Sequence, residues 1–381
     1  MSLCASTDHP TGFRDEHMQP IMNETIKVLV VGAGNMGRSH ALAYASIPEF
    51  EIAAVCTRKP HSRANLMEKL PVGTREANDY HQALVDFQPD AVCISTYPDT
   101  HYPFAKMALE AGCHVFTEKP LAESTEQCKV LVRLAREKNK ALVVGYILRQ
   151  HPSWIKFVEV AKTLGKPLVM RMNLNQQSYG KNWDTHKSLL SSISPIVDCG
   201  VHYVDVMCQM TNSKPTRVSG LGTQLTNELP ENKINYGHLQ VTFEDGSVGW
   251  YEAGWGPMMS ETAFFIKDVI GPLGSASIVA GDASSRGKSS SVDAHTQTER
   301  ILVHKSVQNS AGELEPKDEF IELDDEPDHD ELCRREQLFF LDGILGRQKL
   351  DEHLESAIRA SEIVLAADDS FRSGQMINLA D

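Results

Sequence analysis

IKVLVVGAGNMG, residues 26–37, runs an apolar stretch into Gly32, Gly34 and Gly37 at G-x-G-x-x-G spacing. The unbroken apolar run suits a strand buried on both faces, and after Gly37 the pattern turns helix-compatible through Ala45. Strand, glycine turn and helix in that order have a mechanical meaning. The first glycine permits the tight turn, the second lets a pyrophosphate approach the backbone, and the third closes helix onto strand. The anion then rests on the helix N-terminus. The stretch predicts dinucleotide binding by Gly32, Gly34, Asn35, Met36 and Gly37, and a parallel α/β fold around them.

Outward from the turn, strands and helices alternate. FEIAAVC (50–56) reads as a strand and HSRANLMEKL (61–70) as a helix; DAVCIST (90–96) is a strand and PFAKMALEAG (103–112) a helix stopped by Gly112. HVFTEK (114–119) is the next strand, Ser124 and Gln127 have capping-box spacing ahead of CKVLVRLAREKNK, and ALVVGYIL (141–148) closes the series. This rhythm predicts an N-terminal Rossmann domain over residues 26–148, a doubly wound parallel sheet. Residues 1–25 are polar and aperiodic, which predicts a mobile leader.

Beyond about residue 150 the rhythm changes. PLVMRMNLNQ (167–176) and RVSGLGTQL (217–225) read as strands, and residues 236–255 as a hairpin around Asp245-Gly246. Leu239, Val241 and Phe243 alternate with Gln240, Thr242 and Glu244, the signature of an antiparallel sheet with one polar face. Such a face is either solvated or an oligomer contact, and a homo-oligomer (dimer or tetramer) through it is expected. Ser-rich residues 284–300 read as a surface loop, 324–331 as an acidic connection, and 331–345 and 351–370 as helices. The expectation for 149–381 is an α+β domain for substrate and oligomerisation, with a mostly antiparallel open sheet.

The 381 residues include 51 acidic and 37 basic side chains, a net charge of -14 that argues against nucleic acid and anionic membrane surfaces as partners. No apolar run approaches the roughly 20 residues that span a bilayer. The first 25 residues lack the apolar segment of a secretory signal, so a cytoplasmic protein is expected. None of the eight cysteines forms a C-x-x-C pair, so no metal is expected and the thiols read as small apolar residues.

About twenty residues past the glycines, an acidic side chain would hold the ribose hydroxyls of NAD. Thr57 stands there instead, followed by Arg58 and Lys59, which suit a 2′-phosphate. NADP is therefore expected over NAD.

With Glu118-Lys119-Pro120 at the end of a later strand, after Ser95-Thr96-x-Pro98-x-x-His101, the order resembles the Gfo/Idh/MocA oxidoreductases over roughly residues 26–280. The resemblance implies that Lys119 serves the nicotinamide and the substrate hydroxyl, with a cis bond before Pro120. It also implies that Ser95, Thr96, Pro98, His101, Glu118 and Lys119 lie on the cofactor. Asp198 and His202 in SPIVDCGVHYVDVM match the family's D-x-G-x-H segment, with Gly200 in place. Four apart on one helix, both project from one face, where the carboxylate can orient the imidazole. One departure is that relatives often carry glycines just before this aspartate, where this chain has SSISPIV.

Hydride transfer from an alcohol carbon requires a group that takes the hydroxyl proton. His202 suits that role, with Asp198 fixing its tautomer and Lys119 stabilising charge on the oxygen. The expected catalytic set is Lys119, Asp198 and His202. For substrate, Tyr146 and Arg149 end the last Rossmann strand, at the substrate or at the interdomain seam. Residues 176–187, with Tyr179, Lys181, Trp183 and His186, have the make-up of a carbohydrate-binding loop. The expected substrate contacts are Lys119, Arg149, Tyr179, Trp183, Asp198 and His202. These readings add up to an NAD(P)-dependent oxidoreductase acting on a sugar, sugar acid, cyclic polyol or related small carbonyl compound. A non-catalytic dinucleotide-binding regulator and a cofactor-assisted glycosidase are the alternatives, and the Lys119, Asp198 and His202 set favours the enzyme over the regulator.

Overall fold

A computed structural model describes residues 25–379 other than 263, 280–286, 314–317 and 324. Apart from Thr25, the expected leader lies outside the described residues. The first sheet contains β1 (Ile26–Val31), β2 (Phe50–Cys56), β3 (Arg75–Ala77), β4 (Ala91–Ile94), β5 (His114–Thr117) and β6 (Leu142–Val144). Between them run α1 (Asn35–Ser46), α2 (Pro60–Met67), α3 (Tyr80–Phe87), α4 (Pro98–Glu110) and α5 (Thr125–Glu137). A 3-10 turn (Ile147–Gln150) and α6 (Pro152–Thr163) lead out of this layer.

The strand order is β3-β2-β1-β4-β5-β6, all parallel, so chain direction across the sheet reverses between β1 and β4. Ligands of such sheets sit in the crevice at that reversal. Val31 pairs with both Cys56 and Ile94, which sets the turns beginning at Gly32, Thr57 and Ser95 at one height around the crevice. Ser124 caps α5 by accepting from the Gln127 N–H at 3.2 Å, but the Gln127 side-chain oxygen is buried without a partner, so only half of the capping box forms. The sequence reading passed over β3 and α3. Their eleven residues begin with exposed Arg75 and Glu76 and offer no apolar run to read.

The second sheet contains β7 (Val169–Gln177), β8 (Pro215–Thr223), β9 (Tyr236–Phe243), β10 (Val248–Gly256), β11 (Lys267–Gly271), β12 (Gly274–Val279), β13 (Arg300–Lys305), β14 (Glu319–Glu322) and β15 (Ile377–Asn378). Its order is β14-β13-β12-β11-β7-β10-β9-β8-β15, antiparallel except between β7 and β10. The hairpin turns at Gly246, where φ is +81°, and Leu239, Val241 and Phe243 are buried as their alternation predicts. Helices α7 (Gly180–Leu190), α8 (Pro195–Asp198), α9 (Gly200–Thr211) and α10 (Val292–Thr296) cover this layer, with α11 (His329–Ile344) and α12 (Asp351–Ser373) following.

Two loop expectations fail here. Residues 176–187 finish β7 and then enter α7 rather than forming a loop. Of 284–300, residues 284–286 lie outside the described set, and the rest is only partly at the surface: Ser289 is fully buried, accepting from the Gln177 N–H and donating to the Ser260 carbonyl, while Lys288 and Val292 are exposed. A serine satisfied by backbone groups buries as readily as an apolar residue, so a Ser-rich composition does not fix exposure. The chain end returns to the first domain, where Phe340 of α11 packs between Phe50 and Phe116. Among the described residues no helix is long and apolar enough to cross a membrane.

Candidate active site

Each glycine of the turn has its own steric reason. Gly32 sits at φ +104°, and a Cβ there would lie 2.3 Å from the Ser95 carbonyl oxygen; one on Gly37 would lie 2.2 Å from the Gly32 carbonyl oxygen. A Cβ on Gly34 would meet nothing within 4 Å. Open space therefore faces the start of α1, whose first N–H groups have no partners within the helix. Gly34 and Asn35 are exposed and Met36 half-buried on its rim. At the end of β2, Thr57 is half-buried while Arg58 and Lys59 are exposed. Arg63, absent from the sequence reading, braces this corner through the carbonyls of Thr57 (3.0 Å) and Ala77 (3.1 Å) and through Glu76 (2.8 Å). Across the crevice Ser95 and Thr96 are half-buried, the Thr96 hydroxyl lies 2.6 Å from that of Thr100, and Pro98 opens α4. These residues fit a dinucleotide: an open seat at a helix start, a backbone too tight for side chains, and a basic corner past β2.

Two of the expected cofactor contacts turn inward. His101 is 1% exposed, with Nδ1 2.7 Å from the Pro120 carbonyl and Nε2 3.1 Å from the Thr96 carbonyl. It ties the ends of β4 and β5 together and has no nitrogen left for a ligand. Glu118 is buried, 2.7 Å from His40 Nε2, and its other oxygen accepts from the Lys119 N–H at 3.2 Å. Burial works to raise its pKa, yet His40, with help from Lys119, carries it down to about 2. Beside it Glu336 is buried, and burial followed by the Glu118 charge holds its pKa well above the ordinary carboxyl value. Ligand atoms of His40, Cys333 and Glu336 lie within 4.8 Å of one another, but both His40 nitrogens are engaged, by Glu118 and by Gln337 at 2.9 Å. Hydrogen bonding accounts for that histidine.

The Lys119–Pro120 bond is cis, as the resemblance implies. Lys119 Nζ donates to Asp198 Oδ1 at 3.0 Å and to the Asp198 carbonyl at 3.2 Å. Burial opposes its charge, but Asp198 and the neighbouring groups prevail and raise the pKa, so the ammonium is charged at neutral pH. The expected Asp198–His202 pairing is not what forms. Helix α8 ends at Asp198 and α9 begins at Gly200, so the two side chains belong to different helices, and the carboxylate turns to Lys119. His202 is half-buried, with Nδ1 enclosed and unpartnered and its ring 6.0 Å from that of Tyr146. Burial, then the Lys119 charge, lowers its pKa to about 4, so its ring is neutral. Gly200 of D-x-G-x-H is required because a Cβ there would lie 2.9 Å from the Tyr251 ring. In the SSISPIV departure, Ser194 caps α8 at the Val197 N–H (3.2 Å) and Pro195 takes its first position.

Two expected substrate contacts are engaged by other side chains, and a third is exposed. Arg149 is bound by both oxygens of buried Asp205, at 2.7 and 2.8 Å, which puts it at the interdomain seam. Trp183 packs inward from α7 and spends its indole N–H on Glu228 at 3.2 Å. Tyr179, at the start of α7, is exposed. His186, one turn after Trp183, is not among the expected substrate contacts. It is half-buried and stacks on Trp255 with ring centroids 4.4 Å apart. Only its place in the aromatic and polar stretch 176–187 signalled it.

Residues 26–146 match the family model described as the oxidoreductase family with an NAD-binding Rossmann fold, and residues 158–266 match the GFO/IDH/MocA C-terminal domain. The chain belongs to the Gfo/Idh/MocA oxidoreductase family. Among similar proteins is UDP-N-acetylglucosamine 3-dehydrogenase of Acidithiobacillus ferrooxidans, 28% identical over 58% of this chain and 64% of the relative. Another is inositol 2-dehydrogenase/D-chiro-inositol 3-dehydrogenase of Lactiplantibacillus plantarum, 23% identical over 55% of this chain and 59% of the relative. These two matches therefore span about three fifths of each relative's length. The fold is like that of a scyllo-inositol dehydrogenase from Lactobacillus casei solved with NAD(H) and scyllo-inositol, with a TM-score of 0.72 and 19% identity over 94% of this chain and 100% of that one.

Proposed function

We propose that this protein is an NAD(P)-dependent oxidoreductase that oxidises a secondary alcohol of a neutral sugar or cyclic polyol, or reduces the corresponding ketone. The observation that carries the reading is the half-buried ammonium of Lys119, held by Asp198 near the neutral imidazole of His202. The nicotinamide, when bound, supplies the hydride acceptor or donor. The chain's residues handle the rest. Lys119 donates a hydrogen bond to the substrate oxygen and stabilises negative charge on it. His202, through the ring nitrogen that is not enclosed, takes the hydroxyl proton in oxidation and returns it in reduction. Gly32, Gly34, Asn35, Met36 and Gly37 seat the pyrophosphate, and Ser95, Thr96 and Pro98 border the crevice beside it.

A neutral substrate is favoured over a sugar acid because the cations near the seam are already matched, Lys119 by Asp198 and Arg149 by Asp205. The names of the relatives, acting on a nucleotide sugar and on inositols, point to the same chemistry. NADP is favoured over NAD because Thr57 replaces the ribose-binding acid beside exposed Arg58 and Lys59. Seven buried free cysteines among the described residues suit a reducing, cytoplasmic setting, and exposed Val169 and Ile270 on the second sheet suit a homo-oligomer through that face. Lys119→Ala tests the mechanism. It should retain dinucleotide binding by fluorescence titration while kcat on sugars and polyols falls about 10²-fold or more. Unchanged turnover would remove Lys119 from the chemistry.

A further inference from the structure

We propose that His186, carried by α7, contacts the substrate at a hydroxyl neighbouring the one oxidised and so decides which ring positions the enzyme accepts. The inference rests on the oxidoreductase reading above. The imidazole lies against Trp255 with 16° between the ring planes, and Trp255 is itself buried, its backbone N–H bonded to the Asn235 carbonyl at 2.8 Å. That platform fixes the plane of the imidazole and leaves one edge half-exposed. Nδ1 is enclosed without a partner, and no hydrogen bond of this ring is made among the described residues.

Helices α7 and α8, which carry His186 and Asp198, both pack against β10, the strand of Trp255, and the charges of Asp198 and Lys119 act on the imidazole. Burial lowers its pKa to about 4, so the ring is neutral at working pH. Through the nitrogen that is not enclosed, a neutral imidazole donates to or accepts from a hydroxyl according to its tautomer, and a hydroxyl can meet either form. A carboxylate on the substrate would call for two donors or a cation at this edge. With Lys119 at the reacting oxygen and His186 on a helix packed against the same strand as the helix of Asp198, polar groups stand ready for two adjacent hydroxyls of one ring.

The test compares wild type with His186→Phe, which keeps the stack, and His186→Gln, which keeps hydrogen bonding. Hydride transfer is followed with myo-inositol, scyllo-inositol and methyl α-D-glucopyranoside, and with the monodeoxy analogues of whichever turns over. His186→Phe is expected to lose about tenfold in kcat/KM on the parent compound. It should no longer distinguish that compound from the analogue lacking the neighbouring hydroxyl, while His186→Gln restores part of the preference. Dinucleotide affinity and melting temperature stay at wild-type values. An active His186→Phe enzyme with unchanged preference among the analogues overturns the inference. So does a variant that loses dinucleotide affinity and melting temperature together, since that marks a structural role. If wild type transfers hydride to none of the polyols, the oxidoreductase reading fails and this inference falls with it.

Discussion

Arg149→Met should damage the fold rather than substrate binding. The guanidinium meets Asp205 through two bonds of 2.7 and 2.8 Å, and the Asp205 side chain is 1% exposed. Asp205 also accepts from Ser356 at 2.7 Å and Gln209 at 2.9 Å, which joins the exit of the Rossmann domain to α9 and α12. Two charges about 4 Å apart attract by about 4 kcal/mol at an effective dielectric of 20. Removing one partner of a buried pair costs roughly 3–5 kcal/mol, because the other is left uncompensated. The expected loss in melting temperature is on the order of 10 °C. Burial works to raise the Asp205 pKa, and Arg149 reverses this to a net lowering. The wild-type pair therefore contributes stability above the unfolded aspartate value near 4, lost as pH falls through the lower folded value. Without Arg149, the largest influence opposing burial is gone and the Asp205 pKa rises. The gap between variant and wild type should be widest near pH 7 and narrow toward pH 4. Arg149→Met/Asp205→Leu should recover part of the loss, since the stranded carboxylate is gone. Differential scanning calorimetry across pH checks this alongside KM. A variant that melts with wild type but shows a KM raised tenfold would refute the reasoning and make Arg149 a substrate ligand.

Four further outcomes are expected. Because burial and Lys119 hold His202 near a pKa of about 4, its neutral form persists in acid, and kcat/KM should keep its value down to about pH 5; an acid limb centred at 6.5 would exclude His202 as the base. Gly37→Ala forces a methyl to 2.2 Å from a backbone oxygen that cannot yield, so dinucleotide binding should disappear in a fluorescence titration. Glu336 has a raised folded pKa, so its ionisation in the unfolded chain destabilises the protein as pH rises above about 4.3, and Glu336→Gln should raise the melting temperature at pH 8 but not at pH 4. Arg58→Ala should weaken NADPH binding about tenfold and leave NADH binding unchanged, as measured by separate titrations.

The backbone of this site was more legible than its side-chain partnerships. Gly32 and Gly37 mark places where the main chain has no room, a requirement written at fixed spacing in one stretch. Likewise Leu239, Val241 and Phe243 report their face by alternation alone, and Ser124 announces the start of α5 three residues ahead of the N–H it caps. Partnerships made across the fold carry no such local mark. Glu118 reaches His40 from 78 residues away, Arg149 meets Asp205 from 56, and each changes what the residue is free to do. Helical spacing correctly brought Asp198 and His202 into one neighbourhood. It could not foresee that a lysine 79 residues upstream would win the carboxylate, or that the helix would break at Cys199 between them.

That outcome changes how the site divides its work. On the proposed mechanism, an ammonium paired with its own counterion is placed and charged before substrate arrives, so the reacting oxygen meets an oriented donor at little reorganisation cost. The counterion also moderates the field that Lys119 presents, because an alkoxide must share the ammonium with Asp198 Oδ1. On the mechanism proposed above, Asp198 is committed to Lys119, and the proton passes to the His202 imidazole, which burial keeps neutral. His40 and His101 matter here although neither faces a ligand. One clamps Glu118 and the other ties Pro120 to Thr96, so the residues on both sides of Lys119 are fixed from behind. A lysine with four rotatable side-chain bonds can be aimed at one oxygen only if its backbone does not move, and these two buried histidines supply that rigidity.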